Sequence, residues 1–235
     1  MRFDACAHAY DAYAAPQRAF AARVAAFIAA RDSEDVLEFG AGTGALTIHI
    51  CRAVRQPPRA TDGSPRMVTL GRQAVPAAVW GELDAFRGAV PEATLQISSG
   101  LLQWADDPLS VLRQWRDGLT PAGRMVHAFP CEPCLKEWRA LAPEGPVHWR
   151  DAEEWHRIFV AAGLQVKRSE GWVEEMRFAS ALDMIRAMHR SGTTGRARMG
   201  PGRLRQAMRD YALKHSVPDG VVSTWAWLAF EAVLG

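Results

Sequence analysis

The sequence lacks the features that would assign it to a membrane, a secretion route or a disulfide-rich scaffold. None of its apolar runs approaches the ~20 residues that a helix needs to cross a bilayer. The 4 cysteines are scattered apart from the pair in "CEPC", so no disulfide framework is indicated. The first residues include Asp4 and Asp11 but no apolar core segment, which predicts neither a secretory signal nor a transit peptide. We therefore expect a cytoplasmic protein with no membrane partner.

Strong charge is also missing, since the net charge is +2 and the pI is near 8.5. Such a balance does not indicate a nucleic-acid partner. No second cysteine pair accompanies "CEPC", so a zinc site is not favoured and we predict no metal. A redox dithiol remains an alternative for this pair, because it follows a predicted strand and precedes a predicted helix. With 235 residues, 49% of them hydrophobic, the chain is predicted to form one domain spanning 1–235.

Segments with helix and strand patterns alternate along the chain, which predicts an α/β fold with a parallel sheet and helices on both faces. The predicted helices are 16–31, 44–54, one opening at 63–74, 107–119 and 151–164, and the predicted strands are 35–39, 59–62, 93–98, 121–129, 165–178 and 223–235. Two segments stand outside the alternation. They are the N-terminal helical segment, 1–31, and a helical pair over 180–214 that precedes the terminal strand.

A glycine-rich turn follows the first predicted strand in "VLEFGAGTGALT", Val36 to Thr47. Gly40, Gly42 and Gly44 allow positive φ and a close approach of the backbone to a ligand. The following helix start offers free N–H groups. A strand that turns into a helix in this way builds a ligand site at the carboxyl edge of a sheet.

Two ligand classes use this device. A dinucleotide would use Gly40, Gly42 and Ala45 as G-x-G-x-x-A, with Asp62 downstream for a ribose. S-adenosylmethionine would use the same glycines with Glu38, whose carboxylate can hold the α-ammonium group directly or through water. A dinucleotide has no such ammonium group, and its pyrophosphate would be repelled by Glu38. We therefore interpret the turn as a site for S-adenosylmethionine.

Acidic side chains after the next two strands complete the predicted cofactor site. Asp62 is placed to accept hydrogen bonds from the ribose hydroxyls, and the same position also suits a cap for the following helix. In "WGELDAF" an acid could receive the adenine amino group, and Glu82 and Asp84 are the two candidates. A solvated loop charge is the alternative for either acid.

Six motifs occur along the chain in an order that is typical of one family. They are "FDACAHAYDAYAAPQ", "VLEFGAGTGALT", "ATDGSPRM", "LLQWADDPLSVLRQW", "LTPAGRM" and "SALDMIRAMHRSG". Through these motifs the sequence as a whole resembles the malonyl-acyl carrier protein O-methyltransferases of biotin synthesis. The resemblance implies a class I methyltransferase fold: a Rossmann-like, seven-stranded, mostly parallel sheet with an N-terminal helical cap and a helical lid over 180–214. The implied reaction is methyl transfer from S-adenosylmethionine to the free carboxyl of a malonyl thioester on acyl carrier protein.

The family's cofactor and substrate positions can be carried onto this sequence. The cofactor positions are Glu38, Gly40, Gly42, Gly44, Asp62, Glu82, Gln103, Trp104 and Gln17, and Tyr10 joins Gln17 in the N-terminal segment that caps the cofactor. Two stretches depart from the family: "GELD" stands for the usual "GDAE", and "ATLQISSG" stands for "FDLVVSN". These departures place the substrate in doubt more than the fold.

The implied chemistry needs no general base, since a malonyl carboxylate is already ionised near neutral pH. It needs alignment, exclusion of water and groups that steer a carboxylate. We predict Arg150 for this role, with the hydroxyl of Tyr10 as its partner. A surface charge paired with Asp151 or Glu154 is the alternative for Arg150.

The lid segment is basic, which suits an acidic, helical carrier protein. Its charges are Arg186, Arg190, Arg196, Arg198, Arg203, Arg205, Arg209 and Lys214, against the single acid Asp210. Few aromatic residues are interleaved, so a nucleic acid is not favoured. The alternative functions are a methyltransferase for another small carboxylic acid or metabolite, a non-catalytic binding protein that kept the fold, and a nicotinamide oxidoreductase.

Overall fold

The structure is a computed structural model of the chain, and it describes residues 15–143, 145, 147–190 and 199–235. The side chains of residues 15–17 and of Arg190 fall outside this description. Tyr10, the side chain of Gln17, and Arg196 and Arg198 of the basic segment therefore lie outside the described residues.

Helices and strands alternate through most of the described chain, as the sequence predicts. The elements are α1 (Ala15–Ile28), β1 (Val36–Phe39), α2 (Thr47–Ile50), β2 (Arg59–Asp62), α3 (Pro65–Ala74), β3 (Val79–Glu82), β4 (Ala93–Ser99), α4 (Pro108–Asp117), β5 (Leu119–Pro130), α5 (Lys136–Arg139), α6 (Ala152–Ala161), β6 (Leu164–Phe178), α7 (Ala181–Arg190), α8 (Pro201–His215), β7 (Ser216–Val217) and β8 (Gly220–Leu234). A single 3₁₀ turn, Leu102–Trp104, lies between β4 and α4.

The strands form one mostly parallel sheet in the order β3-β2-β1-β4-β5-β8-β6, with the two-residue β7 paired to β8. Strands β1 to β5 run parallel, whereas β8 runs antiparallel to both β5 and β6. The predicted seven-stranded sheet is thus confirmed, with one short addition. The strand order reverses between β1 and β4, and sheets of this type bind ligands beside such a reversal.

Aromatic side chains pack on both faces of the sheet. On β8, the ring of Trp227 stacks on Phe20 of α1 with centroids 4.8 Å apart. The ring of Phe230 packs against Phe159 of α6 at 4.9 Å. Because side chains alternate between faces along a strand, α1 and α6 cover opposite faces.

Side chains that accept backbone hydrogen bonds fix the starts of several helices. The Ser64 side chain accepts from the N–H of Met67 at the start of α3, and Asp107 caps α4 through the N–H of Ser110. Asp151 and Glu154 form a capping box at the start of α6. These residue types favour such positions because they satisfy N–H groups that have no partner within the helix.

Three local predictions differ from the structure. The predicted helix 44–54 is α-helical over Thr47–Ile50, with turns on both sides. The predicted helix 16–31 ends at Ile28, because Ala29 takes a φ of 45°. The sequence analysis did not predict β3, a four-residue edge strand that has no alternating apolar pattern to mark it.

Strands β6 and β8 extend past the end of the parallel sheet, since each is 15 residues long. The pair Pro130–Trp227 ends the ladder between β5 and β8, so residues 220–226 continue beyond the carboxyl end of β5. There residues 221–226 pair with residues 173–178 of β6, and Gly220 pairs with Val217 of β7. We call these two segments, 173–178 and 220–226, the projecting ribbon. Helices α7 and α8, which form the predicted lid segment, connect its strands.

A buried ion cluster holds the end of α1 against the sheet. The guanidinium of Arg124 donates to both carboxylate oxygens of Glu34, at 2.7 and 3.0 Å, and to Glu231 at 3.2 Å. It also donates to the backbone oxygens of Ile28 at 2.8 Å and Ala29 at 3.3 Å, which are carbonyls at the end of α1. We call this group the Arg124 cluster.

Candidate active site

A cleft opens at the carboxyl ends of β1, β2 and β4. It and the solvent directly adjoining it enclose about 790 Å³. The loops that follow these strands and β3 form its walls. The lining residues are Gly40, Gly42, Asp62, Gly63, Ser64, Met67, Leu83, Asp84, Ala85, Phe86, Ser99, Gly100, Leu101 and Trp104.

Two of the predicted glycines bring their backbone to the cleft. Gly40 and Gly42 have φ values of +63° and +57°, in the left-handed region that favours glycine. A Cβ atom on Gly40 would lie 2.9 Å from the side chain of Leu101, whereas one on Gly42 would meet nothing within 4 Å. The backbone at Gly42 thus faces open space. Gly44 has a packing role instead, since its Cβ would lie 2.7 Å from Val75.

Asp62, at the end of β2, is bound to the glycine turn. One of its carboxylate oxygens accepts from the N–H of Gly42 at 2.9 Å, and the other accepts from the N–H of Ser64 at 2.8 Å. Burial raises the pKa of Asp62, and these two backbone hydrogen bonds oppose the rise. Each oxygen keeps acceptor capacity, so the side chain can receive hydroxyl groups from a ligand in the cleft.

Glu38 lies behind the glycine turn and is buried, with 2% of its surface exposed. Its carboxylate accepts from the hydroxyl of Thr47 at 2.7 Å, which joins β1 to the start of α2. Burial raises the pKa of Glu38 to about 7. The charge of Asp62 adds to the rise, whereas the hydrogen bond from Thr47 opposes it. Glu38 is not among the described residues that line the cleft. Its predicted contact with an ammonium group stays a prediction.

The remaining predicted residues are divided between the cleft and its surroundings. Trp104 lines the cleft, as does Asp84, whereas the exposed Glu82 does not. Of the two acids considered for the adenine group, the geometry therefore favours Asp84. Gln103 is buried behind the wall, where its side-chain N–H donates to the backbone oxygen of Gly100 at 2.8 Å.

Arg150 does not line the cleft among the residues that the structure describes. Its guanidinium lies over the ring of Trp155, 5.2 Å from the centroid, and donates to the backbone oxygen of His148 at 3.3 Å. The backbone oxygen of Arg150 accepts from the N–H of Glu132, just beyond the carboxyl end of β5. The role predicted for Arg150 in gripping a carboxylate thus gains no support from the cleft geometry.

Apolar residues of the cleft were missed by the sequence analysis. Met67 on α3 and Leu83, Phe86 and Leu101 in the loops form apolar parts of the wall. Such surfaces suit a planar base. Met67 stands in "SPRM", shortly after the predicted strand 59–62 ends. This position after a strand end is the sequence feature that could have identified Met67 as a cleft residue. The loop after β3 carried no such signal, because β3 itself was not predicted.

The "CEPC" loop is not built as a redox site. Cys131 and Cys134 are buried free thiols, and burial raises the pKa of each to about 12. Both are therefore protonated near neutral pH, whereas a reactive cysteine needs its thiolate form. Between them, Glu132 pairs with Arg139 of α5. Within the described parts of the chain, no three His, Cys, Asp or Glu side chains are grouped to hold a metal ion.

A family model described as a methyltransferase domain matches residues 10–169, which include the glycine turn, Asp62 and the cleft. The chain belongs to this family. The protein is accordingly a methyltransferase with S-adenosylmethionine as its cofactor, and the sequence-based predictions of family and cofactor are confirmed.

Two curated relatives share one name, malonyl-[acyl-carrier protein] O-methyltransferase. The protein from Halorhodospira halophila is 27% identical over 99% of this chain and 84% of its own length. The protein from Neorickettsia risticii is 27% identical over 94% of this chain and 94% of its own length. The resemblance therefore extends along nearly the whole methyltransferase, including segments outside the family model.

Solved structures of methyltransferases share the fold. A putative methyltransferase from Bacillus halodurans has a TM-score of 0.68 at 13% identity, covering 90% of this chain and 97% of its own. A geranyl diphosphate methyltransferase in complex with S-adenosylmethionine has a TM-score of 0.58 at 10% identity, covering 93% of this chain and 85% of its own. At these identities the likeness shows the fold alone.

The cleft fits the cofactor of this methyltransferase. Asp62 has acceptor capacity that ribose hydroxyls could use, and the backbone at Gly42 faces open space. Leu83 and Phe86 line the cleft and would offer apolar surface to an adenine ring. When bound, S-adenosylmethionine supplies an electrophilic methyl group on a sulfonium. In the part of the chain that the structure describes, no helix is long and apolar enough to cross a membrane.

The ionisation of Glu38 predicts a pH dependence that the cofactor should alter. A carboxyl whose folded-state pKa is raised from 4.5 to about 7 stabilises the fold below pH 4.5 and loses this contribution as the pH rises to 7. The unfolding free energy of the wild type should thus fall by about 3 kcal/mol relative to Glu38→Gln over this range. Urea unfolding at a series of pH values measures the difference.

Bound S-adenosylhomocysteine should reduce this difference, because its ammonium group would compensate the buried carboxylate of Glu38. Glu82→Gln, the same substitution at an exposed acid outside the cleft lining, serves as the control. Parallel profiles for the wild type and Glu38→Gln without ligand would show that Glu38 does not titrate in this range. A difference that the ligand leaves unchanged would show that the carboxylate does not hold the ammonium group.

Proposed function

We propose that the protein transfers the methyl group of S-adenosylmethionine to the free carboxylate of malonyl-acyl carrier protein. The product would be the methyl ester used in biotin precursor synthesis. The observation that carries this proposal is the near full-length similarity to two relatives with that name. A cytoplasmic location is part of the same proposal, and the free thiols of Cys51, Cys131 and Cys134 are consistent with it.

The composition of the cleft supports a carboxylate as the methyl acceptor. The titratable side chains of the described lining are the carboxyl groups of Asp62, which is bonded to the glycine turn, and Asp84; no His, Lys, Cys or Tyr is among the described lining residues. His127, on β5 below the cleft, is fully buried, bonded to the hydroxyl of Ser98 at 2.9 Å, and burial lowers its pKa to about 3. A carboxylate that is already ionised needs no base. The chain then has to position the acceptor and exclude water.

Acyl carrier protein is proposed to dock on the basic segment 186–214. In the described part of this segment, Arg203, Arg205, Arg209 and Lys214 on α8 are exposed. Arg186 on α7 is bonded to Asp183 at 3.5 Å. Since α7 and α8 connect the strands of the projecting ribbon, this positive surface lies on the segment that extends beyond the carboxyl edge of the sheet. An acidic partner would be steered to that side of the molecule.

The test is a methyl-transfer assay with malonyl-acyl carrier protein, malonyl-pantetheine and free malonate as acceptors. Turnover of the two thioesters, with the lowest KM for the carrier protein, is expected. The double variant Arg205→Glu/Arg209→Glu should raise the KM for malonyl-acyl carrier protein about tenfold and leave the KM for malonyl-pantetheine unchanged. Arg157→Glu, which reverses an exposed charge on α6, is the matched control.

Other outcomes would replace the proposal. Turnover of free acids with no preference for thioesters would indicate a methyltransferase for small carboxylic acids. Binding of S-adenosylhomocysteine without turnover of any acceptor would indicate a binding protein that kept the fold. Equal effects of the α6 and α8 charge reversals would place the carrier protein elsewhere.

A further inference from the structure

Thr47, the first residue of α2, directs its hydroxyl at the buried carboxylate of Glu38. The Thr47 side chain is fully buried, and its hydroxyl donates to one carboxylate oxygen at 2.7 Å. A threonine hydroxyl in a helix can bond to a carbonyl of the preceding turn. This hydroxyl instead leaves its helix and bonds to a strand residue nine positions earlier. Among the described residues, it is the one hydrogen-bond donor to this carboxylate.

The carboxylate of Glu38 lies close behind the wall of the cofactor cleft. Gly40, two residues further along the chain, lines the cleft, and so does Asp62 at the end of β2. In the sheet, Glu38 is paired with Ala60 of β2 and with Ile97 of β4, so it lies between two strands whose ends form the cleft. A negative charge at this depth attracts a cation in the cleft through the poorly screening interior, even without direct contact.

Only the ionised form of Glu38 attracts the ammonium group of the cofactor. Burial disfavours that form and raises the pKa of Glu38 to about 7, so the two forms are present in similar amounts near neutral pH. The hydrogen bond from Thr47 opposes this rise, because a hydroxyl donates more strongly to a charged carboxylate than to a neutral one. The Thr47 hydroxyl therefore increases the fraction of the protein that carries the charge.

The other titratable groups that interact with Glu38 do not favour its charged form. Asp62 on β2 raises the pKa of Glu38 through its own negative charge. Cys51 on α2 has a pKa that burial and the charge of Glu38 raise above 9.0, so its thiol is neutral near pH 7. No cation is among the described groups that shift the pKa of Glu38. Within the described chain, Thr47 is thus the group that supports the carboxylate charge.

We propose that Thr47 is a positioning residue for the cofactor: its hydroxyl keeps the Glu38 carboxylate oriented and charged behind the glycine turn, where that charge attracts the α-ammonium group of S-adenosylmethionine. Thr47 is not among the described residues that line the cleft, so it acts through Glu38. The inference concerns the cofactor alone and goes beyond the proposed function, since it holds for any methyl acceptor.

The test compares two ligands by isothermal titration between pH 6 and pH 8.5. S-adenosylhomocysteine carries the ammonium group, whereas 5′-methylthioadenosine has the same adenosine part and lacks the amino acid. For the wild type, the affinity for S-adenosylhomocysteine should rise between pH 6 and pH 7.5 as Glu38 ionises, and the affinity for 5′-methylthioadenosine should stay constant. The ammonium group of the ligand titrates alike with every variant, so the ratio of two proteins' affinities isolates Glu38.

Thr47→Val removes the hydroxyl and keeps the shape of the side chain. Without the donor the pKa of Glu38 should rise further, so less of the variant is charged at low pH. Its affinity for S-adenosylhomocysteine should fall about tenfold at pH 6 but less than about twofold at pH 8.5, where Glu38 is largely ionised in both proteins. Its affinity for 5′-methylthioadenosine should equal that of the wild type. Thr47→Ser keeps the donor and should behave as the wild type does with both ligands.

Thr61→Val is the matched control. The hydroxyl of Thr61 also donates to Glu38 at 2.7 Å, but to its backbone oxygen, which does not ionise. The control thus removes an equally short hydrogen bond to the same residue, and any loss of affinity should be independent of pH and equal for the two ligands. Circular dichroism checks that each variant is folded. If Thr47→Val does not fold, Thr47→Ala removes the same donor and is measured in its place.

Two results would overturn the inference. A loss that is the same at every pH, or the same for both ligands, would show that Thr47 only shapes the turn. A wild type whose affinity for S-adenosylhomocysteine does not change between pH 6 and pH 7.5 would show that the charge of Glu38 does not act on the ammonium group. Neither result affects the proposed acceptor, which the turnover of malonyl thioesters tests separately.

Discussion

Asp62→Ala is expected to bind S-adenosylhomocysteine about a hundredfold more weakly than the wild type in isothermal titration. In the structure the carboxylate accepts hydrogen bonds from the backbone N–H groups of Gly42 and Ser64, at 2.9 and 2.8 Å. Each oxygen keeps acceptor capacity for a hydroxyl group of the cofactor. Two hydrogen bonds to a charged acceptor contribute about 1.5 kcal/mol or more each, which together correspond to this loss. The variant also removes the link that fixes the glycine turn to β2.

The Asp62→Asn variant separates these two contributions. Its amide NH₂ cannot accept from a backbone N–H, so one of the bonds to Gly42 and Ser64 is lost while the shape is kept. We expect an affinity between those of the wild type and Asp62→Ala. Glu82→Gln, which changes an exposed acid at the end of the adjacent strand, should bind as the wild type does. A folded Asp62→Ala variant with wild-type affinity would show that the ribose is bound elsewhere.

The cofactor half of the site could be predicted from the sequence because its determinants are local. A strand, a glycine turn and a helix start are contiguous in the chain, and Asp62 follows at the end of the next strand. The parallel arrangement then brings these segments to one edge of the sheet. The adenine side was less accessible, since β3 is four residues long and carries no alternating pattern. As a result Asp84, which lines the cleft, could not be distinguished from Glu82.

The surroundings of Arg150 could not be predicted because they depend on contacts between distant segments of the chain. Arg150 was predicted from the chemistry of carboxylates alone. In the structure its side chain lies over Trp155, outside the described cleft lining.

Arg124→Ala is expected to lower the free energy of unfolding by about 3–5 kcal/mol, measured by urea denaturation. Arg124 is 6% exposed and donates to Glu34, to Glu231 and to two carbonyls at the end of α1. Its removal leaves the buried carboxylate of Glu34 without its cation and frees the end of the helix that carries Phe20. The cost thus comes mainly from desolvated groups that lose their partner.

The contrast with an exposed ion pair gives this prediction its control. Arg55 contacts Asp32 at 2.9 Å, but their side chains are 82% and 59% exposed, so Arg55→Ala should cost under about 1 kcal/mol. Burial opposes the ionisation of Glu34, but the hydrogen bonds from Arg124 and from the backbone N–H of Arg31, together with the charges of both arginines, outweigh it and lower the pKa of Glu34. The stabilisation is therefore present above pH 4.5 and is lost as the pH falls through the lowered pKa, so the difference between the wild type and Arg124→Ala should narrow in acid. Equal losses for Arg124→Ala and Arg55→Ala at pH 7 would show that the Arg124 cluster does not anchor α1.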